Sequence, residues 1–127
     1  MLMNTAKKTI LVVDDAAHIR QLLQFGLAKI GCHVEVVKSG LEAVRRSEAG
    51  RVDLLVIDVE MTGMSGFETV REIRRDARYA DMPVIMMTGR GLSRFRQEAL
   101  DLGVSRFMTK PFSPIELAQQ VKELLAL

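Results

Sequence analysis

The sequence predicts a doubly wound α/β fold, a (βα)5 chain in which five parallel strands alternate with five helices. Three observations carry this. Four apolar runs, 9–13, 54–57, 84–87 and 104–108, have the aliphatic and β-branched content of strands covered on both faces, and only the last is broken by polar residues. Helix-like stretches lie between the runs, as a parallel sheet requires. Each run ends on a polar residue, giving Asp14-Asp15, Asp58, Thr88 and Lys110, and in such sheets ligands bind beyond the carboxyl ends of the strands.

The elements follow in order. The run 9–13 leads into a helix near 16–30, where Ile19, Leu22, Leu23, Leu27 and Ile30 recur at helical spacing and Gly31 ends the pattern. His33 to Val37 is a weaker second strand, interrupted by Glu35. Three later helices start on the same pattern: Ser39-x-x-Glu42, Ser65-x-x-Glu68 and Ser113-x-x-Glu116, the last with Pro114 at the first helical position. A fourth helix, near 92–102, turns Leu92, Phe95, Ala99 and Leu102 inward and stops at Gly103. No linker or low-complexity tract interrupts the order, so 1–127 reads as one domain, with a folded core from about residue 8 and no output domain.

Composition excludes several classes. The 127 residues, 48% hydrophobic, suit one core. A net charge of +2 creates no strong field for nucleic acid or membrane. No apolar stretch approaches a membrane span and residues 1–8 lack a signal-peptide core, so a cytoplasmic protein is expected. The single cysteine, Cys32, reads as a small core residue. Arg71, Arg74, Arg75 and Arg78 are interspersed with Glu72 and Asp76 and read as a solvated helix face. His18 has no second histidine or cysteine at ligand spacing, which argues against zinc.

The polar residues at the strand ends carry the chemistry. Adjacent acids repel unless a cation offsets them, so Asp14-Asp15 points to a divalent metal, and hard oxygen ligands favour magnesium. Asp58 alone could be a turn former, and one of the acid pair could cap a helix. Lys110 changes the balance, because an ammonium beside carboxylates can neutralise an acid and then follow a phosphoryl group esterified to it. Pro111 can fix the lysine's backbone, a cis Lys110-Pro111 bond aiming it inward, and Thr88-Gly89 adds a hydroxyl and an unhindered amide. Together these make a cation-plus-phosphoryl site.

With Asp14-Asp15, Asp58 followed by Met61 and Ser65-Gly66, Thr88 and Lys110-Pro111-Phe112 in place, the whole chain resembles the receiver domains of two-component response regulators, in the chemotaxis-type single-domain form. The resemblance implies a flavodoxin-like three-layer sandwich with strand order 2-1-3-4-5. It implies phosphorylation of Asp58 by a histidine kinase or phosphotransfer protein. Asp15 and Asp58 would bind magnesium (or manganese) directly, Asp14 would act through water, and the Glu60 backbone carbonyl would complete the ligands. The new phosphoryl oxygens would be met by Lys110, Thr88 and the Gly89 amide, and Thr88 moving toward them would open space for Phe107, the aromatic switch position. Glu60 and Arg90 flank the path of attacking water and form a possible gate. An unknown downstream protein would dock on helix 4, strand 5 and helix 5. The chain would be no enzyme beyond its own phosphorylation and dephosphorylation.

Three positions depart from the family pattern. Thr62 stands where proline is usual, Gly89 where alanine is commonest, and 103–107 lacks the paired acids of receivers that dimerise through their last elements. Two rivals remain open. A flavodoxin-like cofactor binder needs a phosphate cradle after the first strand, where Asp14-Asp15 would repel phosphate. A phosphohydrolase resembling haloacid dehalogenases, with Asp58 as nucleophile and Glu60 as acid, would carry its nucleophile on the first strand instead.

Overall fold

The apolar runs form strands buried on both faces: β1 (Thr9–Val13), β3 (Leu54–Asp58) and β4 (Val84–Thr88) are buried along their whole length. β2 (His33–Val37) is partly exposed, and β5 (Arg106–Thr109) is also only partly buried. The structure, a computed structural model of the chain, describes residues 7–89, 95–110 and 112–127. The sheet is parallel, in the order β2-β1-β3-β4-β5. Its registers pair Val13 with Val37 and Ile57, Asp58 with Met87, and Thr88 with Thr109, so the carboxyl ends of the strands share one edge.

Among the described residues five helices cover the sheet: α1 (Ala17–Ala28), α2 (Gly40–Glu48), α3 (Gly66–Arg74), α4 (Arg96–Asp101) and α5 (Pro114–Leu125), with a 3-10 turn at Ala77–Tyr79. Alternate strand residues point to opposite faces. Ile10, Val12, Val56, Ile85 and Met87 meet Leu23 and Leu27 of α1 and Leu117 and Val121 of α5. Leu11, Val13, Ile57 and Met86 meet Ala43, Phe67, Val70, Ile73 and Ala99 of α2 to α4. Burial of each such aliphatic side chain contributes about 1.5–3 kcal/mol, which makes this double core the main source of stability.

The caps refine the sequence reading. Ser39, Ser65 and Ser113 each accept from the amide three residues on, but the reciprocal glutamate bond to the cap's own amide is present only in α3, where Glu68 accepts from Ser65. In α2, Glu42 accepts instead from the Lys38 amide. Gly31 and Gly103 end α1 and α4 in the left-handed region, at φ +85° and +70°.

Three expectations need correction or restriction. β5 begins two residues later than its apolar run, because the Val104 amide donates to the Ala99 carbonyl and closes the end of α4 before pairing with β4 starts at Ser105. The described part of the fourth helix is Arg96–Asp101, and Leu92, Arg90 and Pro111 lie outside the described residues. The arginine stretch is not uniformly solvated. Arg71, Arg75 and Arg78 are exposed, but Arg74 is partly buried and donates to four backbone carbonyls, of Tyr79 and Met82 (2.8 Å each) and of Leu102 and Gly103 (3.1 Å each). Cys32 is a buried free cysteine, and burial pushes its thiol up.

Candidate functional site

β1, β3 and β4 deliver their polar end residues to the same edge, and the turn after β5 delivers Lys110. Asp14 is fully buried and Asp58 and Thr88 are buried, whereas Asp15 is exposed. The Lys110 ammonium lies 2.9 Å from Asp14 Oδ2 and 3.2 Å from Asp58 Oδ2. Carboxylate oxygens of Asp14, Asp15 and Asp58 come within 4.8 Å of one another. The residues far apart in sequence do converge.

Three carboxylates converge there and the Lys110 ammonium pairs with two of them, so negative charge is in excess among these side chains. Burial pushes the Asp58 carboxyl above its ordinary value and the Asp14 charge adds to the effect, while Lys110 and the Glu60 amide oppose it. Burial alone would lower the Lys110 ammonium, but its hydrogen bond to Asp14 and the charges of Asp58 and Asp14 outweigh this and hold it above its ordinary value. A hard divalent cation fits such a pocket, since three acidic oxygen donors converge on it and Asp15 leaves it open to solvent.

The backbone explains the aim of each group. All four polar groups of Asp14 have partners: its amide donates to the Val37 carbonyl (3.3 Å), its Oδ1 accepts from the Ala16 amide (2.9 Å), its Oδ2 accepts from Lys110, and its carbonyl accepts from Arg20 Nη1 (2.8 Å). Asp58 Oδ1 accepts from the Glu60 amide at 3.2 Å. Behind it, Gly66 donates to the Val59 carbonyl at 2.9 Å, and a Cβ there would run into the Asp58 carbonyl. That glycine lets α3 start directly against the end of β3. The Lys110 amide donates to the Thr88 carbonyl at 2.7 Å, tying the ammonium's turn to β4.

Other site residues fall into place more loosely. Thr88 and Phe107 lie on the sheet face covered by α2 to α4, Phe107 opposite Met86 and half-buried beside α4. Gly89 is exposed, and a Cβ there would meet nothing within 4 Å. Glu60 is exposed at the rim, while its gate partner Arg90 lies outside the described residues. Thr62 supplies what a proline could not, an amide that donates weakly to Asp15 Oδ2 at 3.4 Å. Sequence reasoning missed Arg20, whose only signal was a basic residue one turn into the helix after the acid pair.

Comparison with known proteins agrees with this geometry. The family model for the response regulator receiver domain matches residues 10–122. The chain is 40% identical over 120 residues to the cyclic di-GMP phosphodiesterase response regulator RpfG of Xanthomonas campestris pv. campestris, covering 93% of this chain and 32% of that protein. It is 35% identical to the phosphate regulon transcriptional regulatory protein PhoB of Pseudomonas aeruginosa, over 93% of this chain and 52% of PhoB. The chain thus spans about a third to a half of these curated relatives. Among solved structures, the chemotaxis protein CheY4 of Vibrio cholerae superposes with a TM-score of 0.89 at 32% identity, over 94% of this chain and 99% of that one. The receiver domain of the sensor histidine kinase PA1611 from Pseudomonas aeruginosa PAO1, described with a magnesium ion coordinated in its active site cleft, gives 0.86 at 28% identity, over 96% and 100%. With the family model spanning nearly all of the fold and the acid pocket at its carboxyl edge, the chain belongs to the response regulator receiver domains of two-component signalling.

Proposed function

We propose that Asp58 accepts a phosphoryl group from a histidine kinase or phosphotransfer protein, with magnesium (or manganese) held by Asp15, Asp58 and the Glu60 carbonyl and, through water, by Asp14. The observation that carries this is the Lys110 ammonium bridging Asp14 and Asp58 in a pocket with three converging carboxylates. It supplies a nucleophile, a cation site and a mobile positive charge together. The magnesium-bound cleft of the PA1611 receiver supports the choice of metal.

The residues divide the work. One Asp58 oxygen attacks phosphorus in line and the donor's leaving group departs, forming an acyl phosphate. Bound metal would offset the charge on the acids and on the transferring oxygens. The new oxygens offer strong acceptors to Lys110, the Thr88 hydroxyl and the Gly89 amide, contacts made only after transfer. Drawing Thr88 toward them vacates space on the face it shares with Phe107, which biases α4, β5 and α5 toward a second arrangement that a downstream protein reads. Glu60, exposed at the rim, hinders the approach of water, so Glu60→Ala speeds loss of phosphate in a decay assay, and unchanged decay removes this role.

Neither rival is favoured: Asp14-Asp15 stands where a flavodoxin-like phosphate cradle would be, and the candidate nucleophile is on β3, not β1. No helix among the described residues is long and apolar enough to cross a membrane, and we assign a cytoplasmic setting with the kinase. As one domain, residues 1–127 act by binding partners. RpfG is named for a phosphodiesterase activity and PhoB for transcriptional regulation, whereas the arginines of the 71–78 stretch here are engaged within the domain. Arg71, Arg75 and Arg78 pair with Glu98, Glu72 and Asp76, and Arg74 binds carbonyls. The deciding experiment is incubation with acetyl phosphate and magnesium, which labels wild type with base-labile phosphate and leaves Asp58→Asn unlabelled. Comparable labelling of the variant overturns the assignment.

A further inference from the structure

We infer that Arg20 is a positioning residue for the metal site: by holding the Asp14 carbonyl it fixes the plane of the peptide joining the two acids, and so aims Asp15. The inference rests on the metal reading above. Asp14 needs little such help, because its side chain is gripped by the Ala16 amide and Lys110. Asp15 is different. It is exposed, and among the described residues its carboxylate has one hydrogen bond, the long 3.4 Å contact with the Thr62 amide. Its direction must come from the backbone.

That backbone is held on both sides of Asp15: after it, the Ala16 amide donates to Asp14 Oδ1, and before it, Arg20 holds the Asp14 carbonyl. The peptide unit is planar, so a hydrogen bond to the Asp14 carbonyl orients the whole Asp14–Asp15 link, including the nitrogen from which Asp15 departs. Arg20 Nη1 makes that bond at 2.8 Å, reaching back one turn from within α1. At the helix start Ala16 has no side-chain cap, and its amide grips the Asp14 side chain, not the Asp14 carbonyl that Arg20 holds. Groups that orient metal ligands commonly affect affinity by about 10–100-fold when removed.

Charge and positioning predict opposite results, which makes the test sharp. Removing a cation beside an acidic pocket should strengthen cation binding if electrostatics alone acted. Positioning predicts that Arg20→Ala weakens magnesium binding, measured by calorimetric titration of the full chain, by about 10-fold. Arg20→Lys, which can still donate once to the carbonyl, recovers part of the loss. In an Asp15→Ala background, Arg20→Ala adds nothing, because the group it aims is gone. Wild-type or tighter binding by Arg20→Ala overturns the proposal, as does a full additional loss on top of Asp15→Ala. An Asp15→Ala protein that binds magnesium like wild type overturns the metal reading itself and the Arg20 role with it.

Discussion

The Lys110 ammonium touches the Asp14 and Asp58 carboxylates, so on the function proposed above a cation bound among these acids would compete with it, and a phosphoryl group on Asp58 would draw it toward the new charge. Lys110→Ala is therefore expected to bind magnesium as well as wild type or better, and to accept phosphate from acetyl phosphate, yet to lose the phosphorylation-dependent change in amide exchange over β5 and α5. A clear loss of magnesium affinity, or an intact exchange response, would contradict this role. Most of this site was legible in the sequence because its residues are polar ends of apolar runs, a pattern that survives without any knowledge of distance. Arg20 and Thr62 were not. Their contributions are a side chain on a carbonyl and a backbone amide on a carboxylate, and neither residue type announces such a partner.

At the scale of elements, the joint between β3 and α3 decides where Asp58 sits. A Cβ on Gly66 would run into the Asp58 carbonyl and Val59, while Ser65 and Glu68 close the complete capping box one residue earlier. These adjacent residues should fail differently. Ser65→Ala removes a cap and costs about 1 kcal/mol in denaturant unfolding, leaving the rate of Asp58 labelling close to wild type. Gly66→Ala must push α3 off the end of β3, costing about 1–3 kcal/mol as overpacking, and it displaces the acceptor, so labelling slows as well. Equal labelling by the two variants would show that the joint does not position Asp58. The strands and the capped helices were readable because their signals are local: continuous apolar content and serine three residues before glutamate. The start of β5 was not, since it depends on whether the Val104 amide closes α4 or pairs with β4, and its apolar run looks the same either way.

Across the whole molecule, the two edges of the sheet do different jobs. The carboxyl edge gathers charge that needs a cation or a phosphoryl group, whereas the opposite edge is stitched by residues 74–82. Tyr79 donates its hydroxyl to the Ser47 carbonyl at 2.7 Å and Arg78 reaches the Glu48 carbonyl at 3.3 Å, together holding the end of α2. Arg74 joins the end of α3 to the lead into β4 and to the end of α4 through Tyr79, Met82, Leu102 and Gly103. Burial pulls its guanidinium below the ordinary value, and its partners are carbonyls on two separate stretches of backbone, which no residue pattern in the sequence announces. A planar fork can serve four acceptors where an ammonium cannot, so Arg74→Lys should recover little of what Arg74→Ala loses. Charged hydrogen bonds of this kind contribute roughly 1.5–3 kcal/mol each but overlap strongly here, and a total loss of about 2–4 kcal/mol is expected for Arg74→Ala in denaturant unfolding. Because the stitched edge lies away from Asp58, both variants should take label from acetyl phosphate at the wild-type rate well below their melting range. A loss of labelling in step with the loss of stability would mean that the two edges are not separable, and that the clamp at one end of the helices sets the chemistry at the other.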